Sequence, residues 1–464
     1  MSIFRNHLPI MGASGAQDTG YTIDQSIRFD QSNNASMSRT PSSASNRKTW
    51  TFSWWWKRGV LSGSTFGSNQ RQVIFGTTAF SILSNHNSTQ IDGINIVYTG
   101  ATNNLQTSQK FRDVSGWYHF IINLDTTQNT EADRIRMYLN GERITQFASI
   151  DYPSKDTTYT INNTQAHYIG LRNSGENLDG YLAEMHFLDG YAYGPEYFGE
   201  FKEDTDIWIP KKYTGSYGTN GFFIDGRDSS DLGDDESGNG NDFTTTGMAA
   251  HDQVPDSPTH NFATYNATGA NDTSSTSRTS LTNGNLQFAS GDTNIIIGLT
   301  IDNVMLDGYK WYFEICLTGS SFNTTIGFRN ADNGDDTPSV ELESDGQIKK
   351  DSSNVGSATG GFSAGDIFGI RLDWTNTSSR KISFYKNNTL LTGEQTFSAS
   401  ISGFQFYARE SGSGVHHLNM GQNGTFNGNK TAQGNSDANG IGDFYYAVPS
   451  GHFAISHKSL NLVS

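Results

Sequence analysis

The chain is poor in cysteine, proline and charge: its 464 residues include one cysteine and nine prolines, and 17% are charged. A single cysteine, Cys316, excludes a disulfide framework or a cysteine-based zinc site within one chain. It lies in the apolar stretch WYFEICLTG, which predicts a buried strand and an inert core thiol.

Long apolar runs are also missing. No stretch approaches the ~20 apolar residues of a membrane-spanning helix, and the first twenty residues lack the apolar core of a signal peptide. We therefore expect neither membrane insertion nor export through a signal peptide.

Basic clusters are absent as well, because lysines and arginines are scattered through a chain of net charge −16. Sequence-independent binding to nucleic acid depends on clustered cations that displace counterions from phosphates. We expect no nucleic-acid partner.

What the chain has in quantity is glycine, with 50 residues, and aromatic side chains, which make up 12%. Disordered segments are poor in aromatics, whereas short strands joined by polar turns combine both features. Apolar and polar residues alternate, as in Ile135, Met137 and Leu139, which precede the hairpin dipeptide Asn140-Gly141. No amphipathic helix of about 12 residues is evident, although a short helical turn is expected within 193–201.

These patterns predict an all-β chain of two antiparallel β-sandwiches in tandem, joined by an ordered connector. We place an N-terminal arm at 1–20, the first sandwich at 21–200, a Gly/Asp-rich connector at 201–262 and the second sandwich at 263–464. Apolar residues occupy both parities of 181–188, so this segment is expected to be a strand covered on both faces.

The tryptophan-rich stretch KTWTFSWWWKRG predicts a core strand. Alternate residues of a strand share a face, and the apolar stripe is Trp50, Phe52, Trp54 and Trp56. Trp55 has the other parity and is exposed if that face is solvated. Three roles stay open for it: a subunit interface, a platform that stacks on a sugar ring, or a ring covered by a neighbouring loop.

The most acidic stretch is DGRDSSDLGDDESGNGND, residues 225–242. No frame in it fits the spacing of an EF-hand. Calcium held by an irregular loop remains an alternative, with candidate ligands Asp225, Asp228, Asp231, Asp234 and Asp235. The other interpretation is a series of Asx and glycine turns that compact the connector. We expect no other cofactor.

Catalytic signatures are weak. Retaining glycosidases need two carboxyl groups about 5–5.5 Å apart, and the nearest pattern, Glu341, Glu343 and Asp345 in ELESDG, has polar flanks typical of a solvated edge strand. The chain has no phosphate-binding loop and no nucleophile elbow. His416 and His417 are adjacent, so on a strand they point to opposite faces. We expect no enzyme.

Two regions resemble known families. Residues 25–195 resemble laminin-G/concanavalin A-like jelly rolls, through SIRFD, SRTPSSASNRKTWTFSWWWKRG, GWYHFIINLD, MYLNGERI and LDGYLAEMHFLDG. Residues 263–464 resemble a SPRY domain, through GYKWYFEI, IGF, GDIFGIRLDW and KISFYKNN. The tandem, joined by WIPKKYTGSYGTNGFF, is similar to tail-fibre and other structural proteins of bacteriophages.

This resemblance implies a non-enzymatic virion component, most simply a tail fibre or appendage protein. The N-terminal region would anchor it to tail or capsid proteins, and the SPRY-like sandwich would contact a glycan or protein of the host surface. A homotrimer is the implied assembly, and laminin-G-like domains often hold calcium. The alternatives are a capsid-decorating fibre protein, a glycan depolymerase and a cellular adhesin or lectin.

Overall fold

The computed structural model describes residues 20–59, 61, 71–85, 92–98, 104–172, 176–266, 281–289, 308–330, 338–376, 378–397, 404–456 and 458–459. Residues 1–19 of the expected arm lie outside these ranges. The chain divides into two compact units, Met1–His260 and Asn261–Ser464. None of the described helical segments is long and apolar enough to cross a membrane.

The first unit contains two large antiparallel sheets. Its strands are β1 Ser26–Phe29, β2 Ser36–Arg39, β3 Thr49–Arg58, β4 Gln72–Gly76, β5 Ser81–Asn85, β6 Gly93–Val97, β7 Leu105–Thr107, β8 Trp117–Asp125, β9 Ile135–Leu139, β10 Glu142–Arg143, β11 Phe147–Ile150, β12 His167–Ile169, β13 Gly180–Asp189, β14 Gly199–Phe201, β15 Trp208–Pro210, β16 Phe222–Ile224, β17 Thr244–Thr246 and β18 Gln253–Val254. The front sheet has the order β10-β9-β8-β3-β13-β1-β18, with β16 paired to β13, and the back sheet has the order β11-β7-β6-β5-β4-β12-β2-β17.

The predicted aromatic stripe forms the core between these sheets. Trp50, Phe52, Trp54 and Trp56 are all fully buried. Phe52 of the front sheet stacks on Phe75 of the back sheet, with ring centroids 4.5 Å apart. The core-strand prediction is confirmed, because alternation on β3 turns all four rings to one side.

The outer face of the front sheet is covered too. Every residue of β13 is buried, which confirms the prediction of a strand enclosed on both faces. The covering segment follows β13, and its main chain is fixed by two polar side chains of the sheet. Thr51 Oγ1 donates to the Tyr191 carbonyl at 2.8 Å, and Asn123 Nδ2 donates to the Tyr193 carbonyl at 2.8 Å.

Residues 201–260 belong to the first unit, which corrects the predicted connector at 201–262. Strand β16 pairs with β13, β17 with β2, and β18 with β1. These strands are only two or three residues long, so the Gly, Asp and Pro turns between them dominate the composition. The same composition marks a connector, and this explains the wrong prediction.

The second unit repeats the two-sheet plan. Its strands are β19 Leu281–Thr282, β20 Gln287–Ala289, β21 Lys310–Gly319, β22 Thr324–Asn330, β23 Ser339–Glu343, β24 Ile348–Lys350, β25 Ser353–Val355, β26 Ile367–Asp373, β27 Arg380–Lys386, β28 Thr389–Leu390, β29 Gln395–Phe397, β30 Phe404–Glu410, β31 Gly414–Asn419 and β32 Phe453–Ala454. One sheet has the order β19-β20-β31-β21-β26-β27-β28, with β29 on β27 and β32 on β21, and the other has the order β25-β24-β23-β22-β30. Except for β32, which runs parallel to β21, the described pairs are antiparallel. The all-β prediction of two sandwiches is confirmed.

Two predictions for the second unit, the burial of Cys316 and the edge position of ELESDG, can be compared with the structure. Cys316 is fully buried, as predicted, and burial raises the pKa of its thiol to about 11. The ELESDG strand is internal, because β23 lies between β22 and β24, so the expected edge position is wrong. Glu343 pairs with Lys349 at 2.7 Å.

Candidate functional site

A polar cleft of about 480 Å³ opens in the first unit beside the end of the acidic segment. Its volume lies within the range of roughly 300–1,000 Å³ found for small-molecule sites. One wall comes from β2 and the residues after it, and the other from β17 and the turn before it. The lining residues are Ser38, Arg39, Thr40, Ser42, Gly240, Asn241, Asp242 and Thr244.

Arg39 is the cation of the cleft. Its guanidinium donates a hydrogen bond to Asn241 Oδ1, and among the described residues no carboxylate lies in ion-pair contact with it. Partial burial lowers the pKa of Arg39, while the charges of Asp235 and Asp242 act in the opposite direction. A guanidinium carries five N–H donors in a planar fork, so donors remain for a ligand.

Acceptors and hydroxyl groups surround this cation. Asp242 uses Oδ1 to accept the Asp235 N–H at 3.1 Å and is itself exposed. The hydroxyl groups of Ser38, Thr40, Ser42 and Thr244 also line the cleft. The lining therefore carries both hydrogen-bond donors and hydrogen-bond acceptors.

Asp235 builds the wall that carries Asn241 and Asp242. Its Oδ1 accepts the Phe223 N–H at 2.8 Å and the Ser237 N–H at 2.9 Å, and its Oδ2 accepts the Asn241 N–H at 2.8 Å. The carboxylate is buried and joins β16 to the turn before β17. The acidic segment thus shapes the cleft.

The other predicted calcium ligands make similar local turns. Asp225, Asp228 and Asp231 each accept the main-chain N–H two residues further on, at 2.9, 2.8 and 3.2 Å. Such Asx turns hold the aspartate oxygens against their own backbone. Asp234 is half-buried, and desolvation followed by the charge of Asp242 raises its pKa.

The five carboxylates do not converge. No three acidic, histidine or cysteine side chains form a metal-binding group anywhere in the described part of the chain, which includes all of 225–242. The calcium prediction therefore has no supporting geometry, and the Asx-turn alternative describes what the segment does.

Trp55 is buried, with 1% of its surface exposed, which corrects its expected role as an exposed interface or sugar platform. Its ring stacks on His119, with centroids 4.3 Å apart. Trp208 lies over the same histidine and donates from Nε1 to His119 Nδ1 at 2.8 Å. A ring covered by another segment, the third role left open, is the one that the structure contains.

The same contact fixes the chemistry of His119. Because Nδ1 accepts the indole proton, Nε2 carries the imidazole hydrogen and donates it to Ser53 Oγ at 2.8 Å. The imidazole cannot take a proton from Ser53 in this state, and burial holds its pKa well below the usual value. Ser53 and His119 are a structural pair.

A second buried polar network lies at a β-bulge in β13, where the non-glycine residue Glu184 has a φ of 48°. His186 Nε2 is 3.1 Å from Glu184 Oε2, and His186 Nδ1 is 2.9 Å from the Tyr217 hydroxyl. The other Glu184 oxygen accepts the Tyr21 hydroxyl at 2.6 Å. Both imidazole nitrogens are occupied, so the network holds Tyr21 and Tyr217 against the sheet.

An aromatic surface was missed by sequence reasoning. Tyr193 and Tyr197 stack with centroids 4.1 Å apart, and Tyr191 lies 5.2 Å from Tyr193. The predicted helical turn is confirmed as a 3-10 turn, Pro195–Tyr197, and it brings Tyr197 next to Tyr193. Three tyrosines within YAYGPEY were the available signal.

No protein-family model and no curated protein matches the chain. Domains LG4-5 of the mouse laminin α1 chain are similar in structure at 10% identity, covering 89% of this chain and 93% of that one, with a TM-score of 0.28. A human SPRY domain is similar at 17% identity, covering 29% and 94%, with a TM-score of 0.20. A SAP-like pentraxin of Limulus polyphemus is similar at 13% identity, covering 39% and 76%, with a TM-score of 0.24. The laminin and SPRY domains are of the two kinds that the sequence resembles.

Proposed function

We propose that the chain is a non-enzymatic recognition protein of a bacteriophage particle, a tail fibre or related appendage, and that the cleft of its first unit binds a saccharide of the host surface. The observation that carries the saccharide proposal is the open cleft in which Arg39, Asn241 and Asp242 stand among hydroxyl groups. The proposal assigns the host contact to the first unit, whereas the sequence resemblance implied a contact through the SPRY-like sandwich.

The polar character of the cleft supports a hydrated ligand. Polar groups that converge in a concave site fix the orientation of a ligand and give specificity. A site built to hydrogen-bond a hydroxyl group discriminates strongly against ligands that lack it, because its own polar groups would otherwise be left unpaired. A surface saccharide presents such hydroxyl groups in a fixed geometry.

The particle assignment rests on the tandem of laminin-G-like and SPRY-like sequences. In this proposal the N-terminal region attaches to other tail or capsid proteins, the chain forms a homotrimer, and its location is the virion. A cryo-EM map of the native assembly tests this part, since a chain found as an isolated monomer in no larger particle would contradict it.

Binding to an array of purified bacterial surface polysaccharides tests the saccharide part. We expect a subset to bind, and Arg39→Gln and Asp242→Asn to weaken that binding about tenfold or more, in line with the loss of one charged hydrogen bond. Asp228→Asn is the matched control, because Asp228 is an exposed residue of the same acidic segment outside the cleft. Equal affinity in the cleft variants and the control would contradict the proposal.

The same incubations separate binding from depolymerisation. A binding protein leaves the polysaccharide intact, so reducing-end and chain-length assays should show no change over time. New reducing ends would favour the depolymerase alternative.

A further inference from the structure

Tyr191, Tyr193 and Tyr197 form a continuous aromatic surface on the first unit, which we call the tyrosine cluster. Tyr193 and Tyr197 are almost parallel, with an angle of 8° between their rings, and Tyr191 is tilted by 32° from Tyr193. Tyr197 is 41% exposed, and the other two rings are partly buried. All three tyrosines therefore keep part of their surface accessible to solvent.

The base of the cluster is rigid. Thr51 Oγ1 donates to the Tyr191 carbonyl and accepts the Tyr193 N–H at 2.9 Å, so one side chain of the sheet fixes two of the three residues. Asn123 holds the Tyr193 carbonyl from the neighbouring strand. A preformed aromatic surface loses little conformational entropy when a ligand binds.

The phenols of the cluster are hydrogen-bonding groups at neutral pH. Desolvation, followed by the nearby phenols of Tyr197 and Tyr191, raises the pKa of Tyr193. A neutral phenol both donates and accepts a hydrogen bond. The cluster thus combines apolar ring surface with a polar rim.

The accessible area of the tyrosine cluster favours a small ligand over a protein partner. A fully covered aromatic side chain buries about 150–250 Å², and each of these three rings is already more than half covered. The cluster can therefore offer a few hundred Å² at most, whereas a stable protein interface needs about 800 Å² per partner. One or two sugar rings match the available area.

The charged residues near the tyrosine cluster further restrict the class of sugar that it can bind. Glu196 lies between two members of the cluster in sequence, is exposed, and belongs to the same 3-10 turn as Tyr197. The nearby Lys211 is paired with Glu200 at 3.3 Å. An exposed negative group on the turn that carries Tyr197 disfavours acidic sugars and leaves neutral ones.

We propose that the tyrosine cluster is a second saccharide site, which stacks the apolar face of a neutral pyranose ring on Tyr193 and Tyr197. This inference rests on the proposed saccharide recognition but uses a different surface. The cluster lies on the segment that covers the front sheet, whereas the cleft lies at the β2–β17 edge of the back sheet. Two sites on one unit would raise the avidity for a long polysaccharide.

The test uses the full chain and a panel of neutral pyranose oligosaccharides, maltoheptaose, cellohexaose, chitohexaose and a mannohexaose, with isothermal titration and saturation-transfer NMR as measurements. We expect at least one of them to bind, Tyr193→Ala and Tyr197→Ala to weaken binding about tenfold, and Tyr197→Trp to retain it, because ring surface is what the sugar contacts. Phe201→Ala is the control, since Phe201 is a 40% exposed aromatic residue outside the cluster.

The cleft variants separate this inference from the proposed function. Retained oligosaccharide binding in Arg39→Gln, with loss in Tyr197→Ala, supports the tyrosine cluster as an independent site. Loss in Arg39→Gln with no change in the tyrosine variants overturns the inference and leaves the cleft proposal standing. Absence of binding by every oligosaccharide of the panel also overturns it, while polysaccharide binding through the cleft is measured separately. Tyr197 is exposed, so its replacement does not disturb the core.

Discussion

Lys57 and Asp256 form an ion pair in the interior of the first unit, with Nζ and Oδ2 2.7 Å apart and neither side chain exposed. The second Asp256 oxygen accepts the Trp117 Nε1 hydrogen at 3.3 Å. Desolvation lowers the pKa of Lys57, and the adjacent carboxylate acts against that effect. The pair joins the third strand of the unit to a residue close to its end.

Removing one partner of this pair should lower the free energy of unfolding substantially. Asp256→Asn leaves a buried ammonium without its counter-charge, and breaking such pairs costs about 3–5 kcal/mol. The double variant Lys57→Met/Asp256→Leu should recover much of this loss, because it removes both charges. Urea unfolding followed by circular dichroism measures the effect.

The surface pair Lys48–Asp156 is the matched control for this prediction. Its atoms are 3.1 Å apart, but the side chains are 37% and 56% exposed. Lys48→Ala should cost less than about 1 kcal/mol. A loss in Asp256→Asn as small as in Lys48→Ala would contradict the structural role of the buried pair.

Truncation tests whether residues 201–260 belong to the first unit. A chain of residues 1–200 loses the end of β14, the strands β15 to β18 and Asp256, so we expect it to aggregate or to unfold without cooperativity. A chain of residues 1–260 keeps every strand of both sheets and should unfold cooperatively. Limited proteolysis and thermal melts distinguish the two, and a cooperative melt of 1–200 at the same temperature as 1–260 would restore the predicted connector.

Local patterns in the sequence predicted local structure well. Asn140 and Gly141 both have positive φ, 44° and 84°, and they turn the chain between β9 and β10 as the Asn-Gly signal indicates. The alternation in β3 placed four rings in the core, and the mixed parity of β13 indicated cover on both faces. In each case the deciding information is the spacing of residues along a single strand.

Local patterns could not predict which distant segment of the chain packs over a given face of a sheet. Alternation shows which residues share a face, but it does not show what lies over that face. Trp55 is enclosed by Trp208, which is far away in sequence. Asp225, Asp228 and Asp231 each accept a hydrogen bond within their own turn, which their spacing in the sequence did not reveal. The cleft likewise lies between β2 and the end of the acidic segment. These two segments are distant in sequence, and no local pattern predicts that they lie side by side.

Removal of Trp208 should expose Trp55. Trp208→Ala deletes the ring over His119 and the hydrogen bond to Nδ1, and large-to-small changes at buried aromatic positions cost about 3–5 kcal/mol. Acrylamide quenching should reveal an accessible tryptophan population that is absent from the wild type. Ile150→Ala, which removes a 46% exposed apolar side chain of the back sheet, is the control and should leave quenching unchanged. Unchanged quenching in Trp208→Ala would contradict the described cover.

Glu314 is a buried carboxyl group in the second unit that anchors the C-terminal segment. It accepts the main-chain N–H groups of Tyr445 and Tyr446 at 2.9 and 2.8 Å, and side-chain hydrogens of Tyr312 and Asn419 at 2.9 and 3.1 Å. Desolvation raises its pKa from 4.5 to about 7, although these hydrogen bonds act in the opposite direction. The carboxyl group is therefore a source of pH-dependent stability.

The contribution of Glu314 to the stability of the second unit should fall as pH rises from about 4.5 to above 7. In this window the folded state holds the Glu314 proton while the unfolded state has released it, so the free energy of unfolding decreases with pH, in total by on the order of 3 kcal/mol. Glu314→Gln does not titrate, so the difference in unfolding free energy between wild type and variant isolates this residue from every other group. As pH is lowered from 8 to 5, the unfolding free energy of the wild type should increase relative to that of the variant. Urea unfolding at a series of pH values measures this difference. A difference that stays constant across that range would mean that Glu314 ionises in the folded chain as it does in the unfolded one, and that its hydrogen bonds to Tyr445 and Tyr446 compensate fully for its burial.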